Sequence, residues 1–236
     1  MTITSPHNER LKEIRKLNQR RRARQQAGRF VAEGEDLLAA ADAAGWQPVE
    51  RYCAADSGLP GIEVEPKLLA AASELGSGTR TLAVYEERWA SAPAGPLYVY
   101  MHGVHDPGNV GASLRSAEAF GAASVAIGPG TADPFGPKAV RASMGAVFNV
   151  PLARAATLAD LPGTTVALDT GTEATPALET LALTEVTLLI GAERDGLPAE
   201  LIAGADHVAR IPIATHSLNA AMAATVALYE ASRMAR

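Results

Sequence analysis

Val208-Ala209-Arg210-Ile211-Pro212-Ile213-Ala214-Thr215-His216-Ser217-Leu218-Asn219 runs from an apolar strand signal, Val208 to Ile213, into a short polar turn. Ser217-Leu218-Asn219 then opens a long alanine-rich helix pattern, Leu218 to Met234. Such a turn sets polar side chains at a helix N-terminus, where main-chain N–H groups are free to meet a ligand. Read alone, Ser217 or Asn219 is an N-cap. The stretch gains meaning from two segments upstream of it.

Working back along the chain, Val186 to Ile190 is an apolar run broken only by Thr187, as expected of a strand buried on both faces. Thr165 to Leu168, Ser124 to Ile127 and Leu97 to His102 read as further strands. Between them lie helix patterns over Pro137 to Phe148 and Val110 to Phe120. This alternation implies an α/β domain with a mainly parallel sheet and covered faces. Ser91-Ala92-Pro93-Ala94-Gly95-Pro96 reads as a semi-rigid linker, and the expected domains are 1–92 and 97–236.

The first domain is expected to be a small α/β unit. Residues 7–26 are helix-compatible, with Leu11, Ile14 and Leu17 forming a thin apolar stripe. Arg29 to Gly34 reads as strand and turn, Glu35 to Ala44 as helix and Pro48 to Ala54 as strand. Glu65 to Glu74 reads as helix and Arg80 to Tyr85 as strand.

Charge separates the two ends. The net charge of the 236 residues is −5, which argues against a polyanionic partner. Yet residues 1–30 hold nine basic residues, among them Arg20, Arg21, Arg22, Arg24 and Arg29, against only Glu9 and Glu13. A basic tract on an acidic body is the footprint of a polyanion-binding segment. No run of about 18 apolar residues is present, so no membrane span is expected. The N-terminus lacks the order of a signal peptide, and Cys53 is the single cysteine, so the chain reads as cytoplasmic. His102, His105 and His216 do not have metal-ligand spacing, and no metal is expected.

Three segments carry candidate chemistry. The first is Asp106-Pro107-Gly108-Asn109-Val110-Gly111 through Arg115 to Gly121. Asn109 sits where an N-cap belongs, and Arg115 lies at the edge of the inward stripe Val110, Leu114, Ala117 and Gly121. The second is Gly191-Ala192-Glu193-Arg194-Asp195-Gly196-Leu197, at the carboxyl end of a buried strand, where ligands bind in open α/β sheets. The third is the opening stretch. The dinucleotide pattern Gly-x-Gly-x-x-Gly and the P-loop are both absent.

Together, in this order and spacing, these segments resemble the three signatures of the SpoU (TrmH-like) RNA 2′-O-ribose methyltransferases of the SPOUT superfamily. Arg141-Ala142-Ser143-Met144-Gly145-Ala146 with Val150-Pro151 also resembles the family pattern. The likeness covers residues 97–236. More loosely, Arg29 to Gly34 resembles the start of a ribosomal-protein-like RNA-binding domain. The turn 213–216 is shorter than the family pattern and carries no glycine.

The resemblance implies a C-terminal SPOUT domain with a trefoil knot, a homodimer, and S-adenosylmethionine held by Gly191, Ile211, Leu218, Leu168 and Ile190. It implies methyl transfer to a ribose 2′-hydroxyl of structured RNA, ribosomal RNA before transfer RNA. Arg115, Asn109, Glu193, Ser217 and Asn219 are then the catalytic set, and Arg20, Arg21, Arg22, Arg24, Arg29 and Arg141 the RNA contacts. Arg115 is too strong a base to remove a proton and is expected to hold a phosphate and stabilise the developing oxyanion. On the last helix Leu218, Ala221, Met222, Thr225, Leu228, Tyr229 and Ser232 share a stripe divided between core and dimer contact. The competing readings are a catalytically silent RNA-binding protein with the same fold, and a small-molecule α/β enzyme.

Overall fold

The computed structural model describes residues 2–234 apart from 75–77, 94, 172–173, 182 and 215. It divides into two compact units. Met1–Glu87 and Asp133–Phe148 form the first, and Arg88–Ala132 and Asn149–Arg236 the second. Residues 133–148 thus belong to the first unit, although they lie inside the span 97–236 assigned above to the second domain.

The first unit begins with α1 (Glu9–Gln19) and α2 (Arg21–Ala27). The single helix expected over 7–26 is therefore two, broken where Arg20 turns extended at φ −128°. Asn8 caps α1 by accepting from the Arg10 N–H. Leu11, Ile14 and Leu17 are buried, as their three-residue spacing requires. There follow β1 (Arg29–Glu33), α3 (Glu35–Ala43), β2 (Glu50–Ala54), β3 (Ile62–Val64), α4 (Pro66–Ala72) and β4 (Thr81–Glu86). The sheet order is β1-β4-β2-β3, with β4 antiparallel to both neighbours and β2 parallel to β3. The three-residue β3 is too short to leave a period in the sequence.

In the second unit β5 (Leu97–Met101) leads into α5 (Pro107–Ala119), then β6 (Ser124–Ile127). The chain then enters the first unit as α6 (Pro137–Ala142) and α7 (Ala146–Asn149). The one helix expected over Pro137 to Phe148 is interrupted by Met144 at φ 51° and Gly145 at φ 99°. A Cβ on Gly145 would lie 2.6 Å from the Ala40 Cβ, so that position requires glycine. Phe135 and Phe148 join Phe30, Trp46 and Tyr85 in an aromatic cluster, with Phe30 4.7 Å from Phe135 and Trp46 5.2 Å from Phe148 between ring centroids. Each such pair contributes about 0.5–1.5 kcal/mol beyond its area.

Back in the second unit come β7 (Leu152–Arg154), β8 (Thr164–Leu168), β9 (Val186–Ile190), α8 (Ala199–Gly204), β10 (His207–Ala209) and α9 (Ala220–Met234). The six strands order as β10-β8-β9-β5-β6-β7, every pair parallel. The strand expected over Val208 to Ile213 pairs with β8 only as far as Ala209, and Arg210 adds a single parallel bridge to Ala177. Its partner β8 ends at Leu168 opposite Ala209, and Pro212 has no N–H to donate. Helix α9 lies on α5, joined by a 2.6 Å Ser116–Thr225 hydroxyl contact. Its buried face is mostly alanine, which brings the helices close. Ala221 and Leu228 of the expected stripe are buried, whereas Met222 and Tyr229 are 62% and 46% exposed.

Candidate active site

All three chemical segments lie in the second unit. The first starts earlier than its pattern implied. Asp106 caps α5, its carboxylate accepting from the Gly108 N–H at 2.7 Å, and Pro107 takes the first helical position. Asn109 is therefore not the cap but sits in the first turn, with its amide free for other partners. The Asn109 Nδ2 donates to Glu193 Oε1. Its Oδ1 accepts from Asn219 Nδ2 at 3.0 Å. Asn219 is the cap of α9: its Oδ1 accepts from the N–H groups of Ala221 at 2.9 Å and Met222 at 3.3 Å. One residue from each segment thus joins a directional chain that ends on a helix N-terminus. Each amide has a fixed orientation, and the carboxylate is held by a neutral donor.

Beside this chain lies an open cavity of about 230 Å³. Leu168, Ile190, Gly191, Ile211 and Leu218, the five residues that the resemblance assigned to the cofactor, all line it, as do Glu193 and Ser217. Leu168 and Ile190 end adjacent parallel strands, so their side chains meet at one sheet edge. Gly191 is glycine for a steric reason. A Cβ there would fall 2.2 Å from the Gly196 carbonyl carbon and 2.4 Å from the Leu197 nitrogen. Ala192 and Gly196 exchange two main-chain hydrogen bonds, 3.0 and 3.1 Å, which fold residues 192–196 into a tight loop over the cavity.

The cavity also carries Asp169, Thr170, Arg194 and Asp195, which the motif reading passed over. Asp169 follows β8 directly, and the rule that ligands gather at carboxyl ends of parallel strands points to it. Of the turn 213–216, Ile213 lines the cavity, and Thr215 lies outside the described residues.

Arg115 does not line the cavity. Six residues on from Asn109, it lies about 240° round the helix. It is exposed, and its guanidinium has no hydrogen bond or ion pair among the described residues. His102 stands at the end of β5, its Nδ1 3.1 Å from the Tyr100 hydroxyl, and burial pushes its pKa down. Among the described residues no group of His, Cys, Asp and Glu has the makings of a metal site.

Of the expected RNA contacts, Arg20, Arg21, Arg22 and Arg141 are exposed. Arg29 is half-buried and meets Glu13 at 3.4 Å. Arg24 is a correction. It is 5% exposed, its Nε donates to Asp133 Oδ2 at 2.8 Å, and its Nη1 donates to the Leu17 and Asn18 carbonyls. A cation used in this way holds the first unit together and does not reach RNA.

The model of the SpoU rRNA Methylase family matches residues 96–229, and that of the MRM3-like substrate binding domain matches residues 8–91. An uncharacterized tRNA/rRNA methyltransferase of Synechocystis is 31% identical, covering 98% of this chain and 93% of its own. A 23S rRNA (uridine(2479)-2'-O)-methyltransferase of Streptomyces viridochromogenes is 37% identical over 54% of this chain and 49% of its own. The structure of an AdoMet-bound rRNA methyltransferase from Sinorhizobium meliloti superposes with a TM-score of 0.85 at 31% identity, covering 99% of this chain and 97% of that one. The chain spans about half the length of several curated relatives it matches, 53% and 49% for two of them. With a family model over more than half its length and a relative similar from end to end, the chain belongs to the SpoU rRNA methylase family.

Proposed function

We propose that the chain binds S-adenosylmethionine in the cavity and methylates a ribose 2′-hydroxyl of structured RNA, ribosomal RNA ahead of transfer RNA. The observation that carries this reading is the Glu193–Asn109–Asn219 chain at the edge of a cavity lined by Gly191, Ile211 and Leu218. The residues present fit the cofactor. Leu168, Ile190, Ile211 and Leu218 make apolar walls for a purine, main-chain groups around Gly191 meet its polar edge, and Asp169, Glu193 and Asp195 face its positive charges. S-adenosylmethionine supplies a methyl group already activated on a positively charged sulfur.

The residues of the chain then position the hydroxyl. Glu193, oriented by Asn109, accepts a hydrogen bond from the ribose, and Asn219 keeps that arrangement fixed to α9. Arg115, on another face of α5, holds a phosphate of the RNA and so positions the strand, and the 2′-hydroxyl proton passes to a phosphate or to water. Alignment of oxygen, methyl and sulfur accounts for most of the acceleration. Arg115→Ala is expected to lower the turnover number about 100-fold with cofactor affinity unchanged. Single-turnover kinetics beside calorimetry reads both, and full transfer by the variant removes Arg115 from the mechanism.

The direct test is calorimetric titration with S-adenosylmethionine, followed by methyl transfer to deproteinised ribosomal RNA. Ribose methylation protects the adjoining phosphodiester from alkaline cleavage, whereas base methylation leaves it open. Binding without transfer to any RNA supports the silent RNA-binding protein instead. The same reading includes the trefoil knot, cytoplasmic residence and a homodimer. Exposed Met222, Val226 and Tyr229 on α9 supply an apolar face for the second copy. Light scattering at micromolar protein is expected to give twice the chain mass, and a clean monomer overturns the dimer.

A further inference from the structure

Met144 combines two costs at one position. At φ 51° it is in the left-handed region that glycine and asparagine tolerate and most side chains avoid. Its apolar side chain is also 58% exposed. Neither cost comes from a slack loop. The Met144 N–H donates to the Arg141 carbonyl at 3.1 Å, and the Ala146 N–H to the Ser143 carbonyl at 3.0 Å. Ser143 is fully buried, its hydroxyl donating to the Val140 carbonyl at 2.7 Å. Gly145 is fixed by Ala40 behind it. Strain held this firmly, on an exposed apolar side chain, points to a contact made outside the chain.

The surroundings specify the contact. Residues 134–149 contain Lys138 and Arg141 and no acidic side chain, in a protein of net charge −5. Lys138 and Arg141 are exposed and three residues apart on α6, and the exposed Met144 follows two residues beyond its end. The Arg141 guanidinium has no partner among the described residues. A ridge of cations ending in a polarisable thioether fits a ligand that alternates negative charge with flat apolar faces. An acidic protein surface would leave the thioether unmatched, and an apolar one the cations. A single strand of nucleic acid meets both.

We propose that Met144 packs on the face of an unpaired nucleobase of the RNA substrate while Arg141 engages the adjoining phosphate. This rests on the reading of the chain as an RNA-modifying enzyme, and it assigns the 143–146 turn to sensing single-stranded RNA.

The test uses the full chain with single-stranded RNA of mixed sequence, about 20 nucleotides long, and the same sequence as a duplex. Fluorescence anisotropy is read across a salt series for Met144→Asn, Met144→Leu and Arg141→Gln. Met144→Asn keeps a residue that tolerates the left-handed region, so its thermal midpoint is not lowered. It is expected to bind the single strand about tenfold more weakly, with the salt dependence unchanged, because an apolar contact releases no counterions. Met144→Leu stays within about threefold of the parent. Arg141→Gln reduces the slope of log affinity against log salt by about 0.7. A folded Met144→Asn protein that binds the single strand as the parent does overturns the proposal. So does a change in its mass by light scattering with RNA binding intact, which would give the turn to a second copy of the chain. If the parent protein binds neither RNA, the functional reading itself falls, and the two failures are told apart.

Discussion

Gly191→Ala eliminates measurable binding of S-adenosylmethionine, an expected loss in affinity of at least about 100-fold. The added Cβ meets main-chain atoms at 2.2, 2.4 and 2.5 Å, where carbon contacts settle near about 3.5–4.0 Å. Main chain cannot rotate aside as a side chain does, so residues 196–197 must shift by more than an ångström. Gly196 is bonded twice to Ala192, so the whole loop moves and takes Glu193 with it. The cavity wall and the carboxylate are displaced by one methyl group. Calorimetry at cofactor concentrations that saturate the parent should show no binding heat. The thermal midpoint should fall by only a few degrees, since overpacking of this kind costs about 1–3 kcal/mol. Retention of parental affinity would show that the loop plays no part in the cofactor site.

Arg24→Met is expected to lower the thermal midpoint of the first unit by roughly 15–20 °C. Asp133, with its side chain 12% exposed, would lose its cation. Removing one partner of a buried pair costs about 3–5 kcal/mol, because the survivor is left uncompensated. The Leu17 and Asn18 carbonyls also lose their donor. Pairing the change with Asp133→Leu should restore much of the loss. Below its midpoint Arg24→Met should bind RNA as the parent does, whereas Arg22→Gln should bind more weakly and with a smaller salt slope. Calorimetric scanning with RNA titration reads both halves. Weakened RNA binding by well-folded Arg24→Met would return Arg24 to the RNA surface.

These two residues mark where sequence reading succeeds and stops. The parallel sheet was legible because Val186 to Ile190 is apolar except for Thr187, a pattern expected of a strand covered on both faces. Of the cavity residues, Gly191, Glu193, Ile211, Ser217 and Leu218 were legible as members of two of the motifs, whereas Asp169 and Thr170 belong to none. Arg24 was not legible. In the tract it is one arginine among several, and its burial is decided by Asp133, 109 residues away. Asn109 was misplaced as a cap although the better local signal, Asp106 followed by Pro107, stood three residues earlier. Arg115 could not be placed relative to the cavity from its motif, because helix rotation separates it from Asn109. The left-handed turn at Met144 had no local signature, since methionine is not a turn residue and the constraint comes from Ala40 against Gly145.

The membership of residues 133–148 in the first unit has a consequence for synthesis. A nascent chain that has delivered only residues 1–87 holds Phe30, Trp46 and Tyr85 but lacks Phe135 and Phe148. In the finished protein the Trp46 indole N–H donates to the Phe148 carbonyl at 2.8 Å. At about 5–20 residues per second, the interval of about 60 residues leaves these rings open to water for about 3–12 s. The first unit is thus completed only after residues 88–132 of the second have been translated. The same circuit makes the linker at 91–96 a poor place to divide the gene. An N-terminal fragment ending there would carry the basic helices and the sheet but not two of the five aromatic rings that close the core.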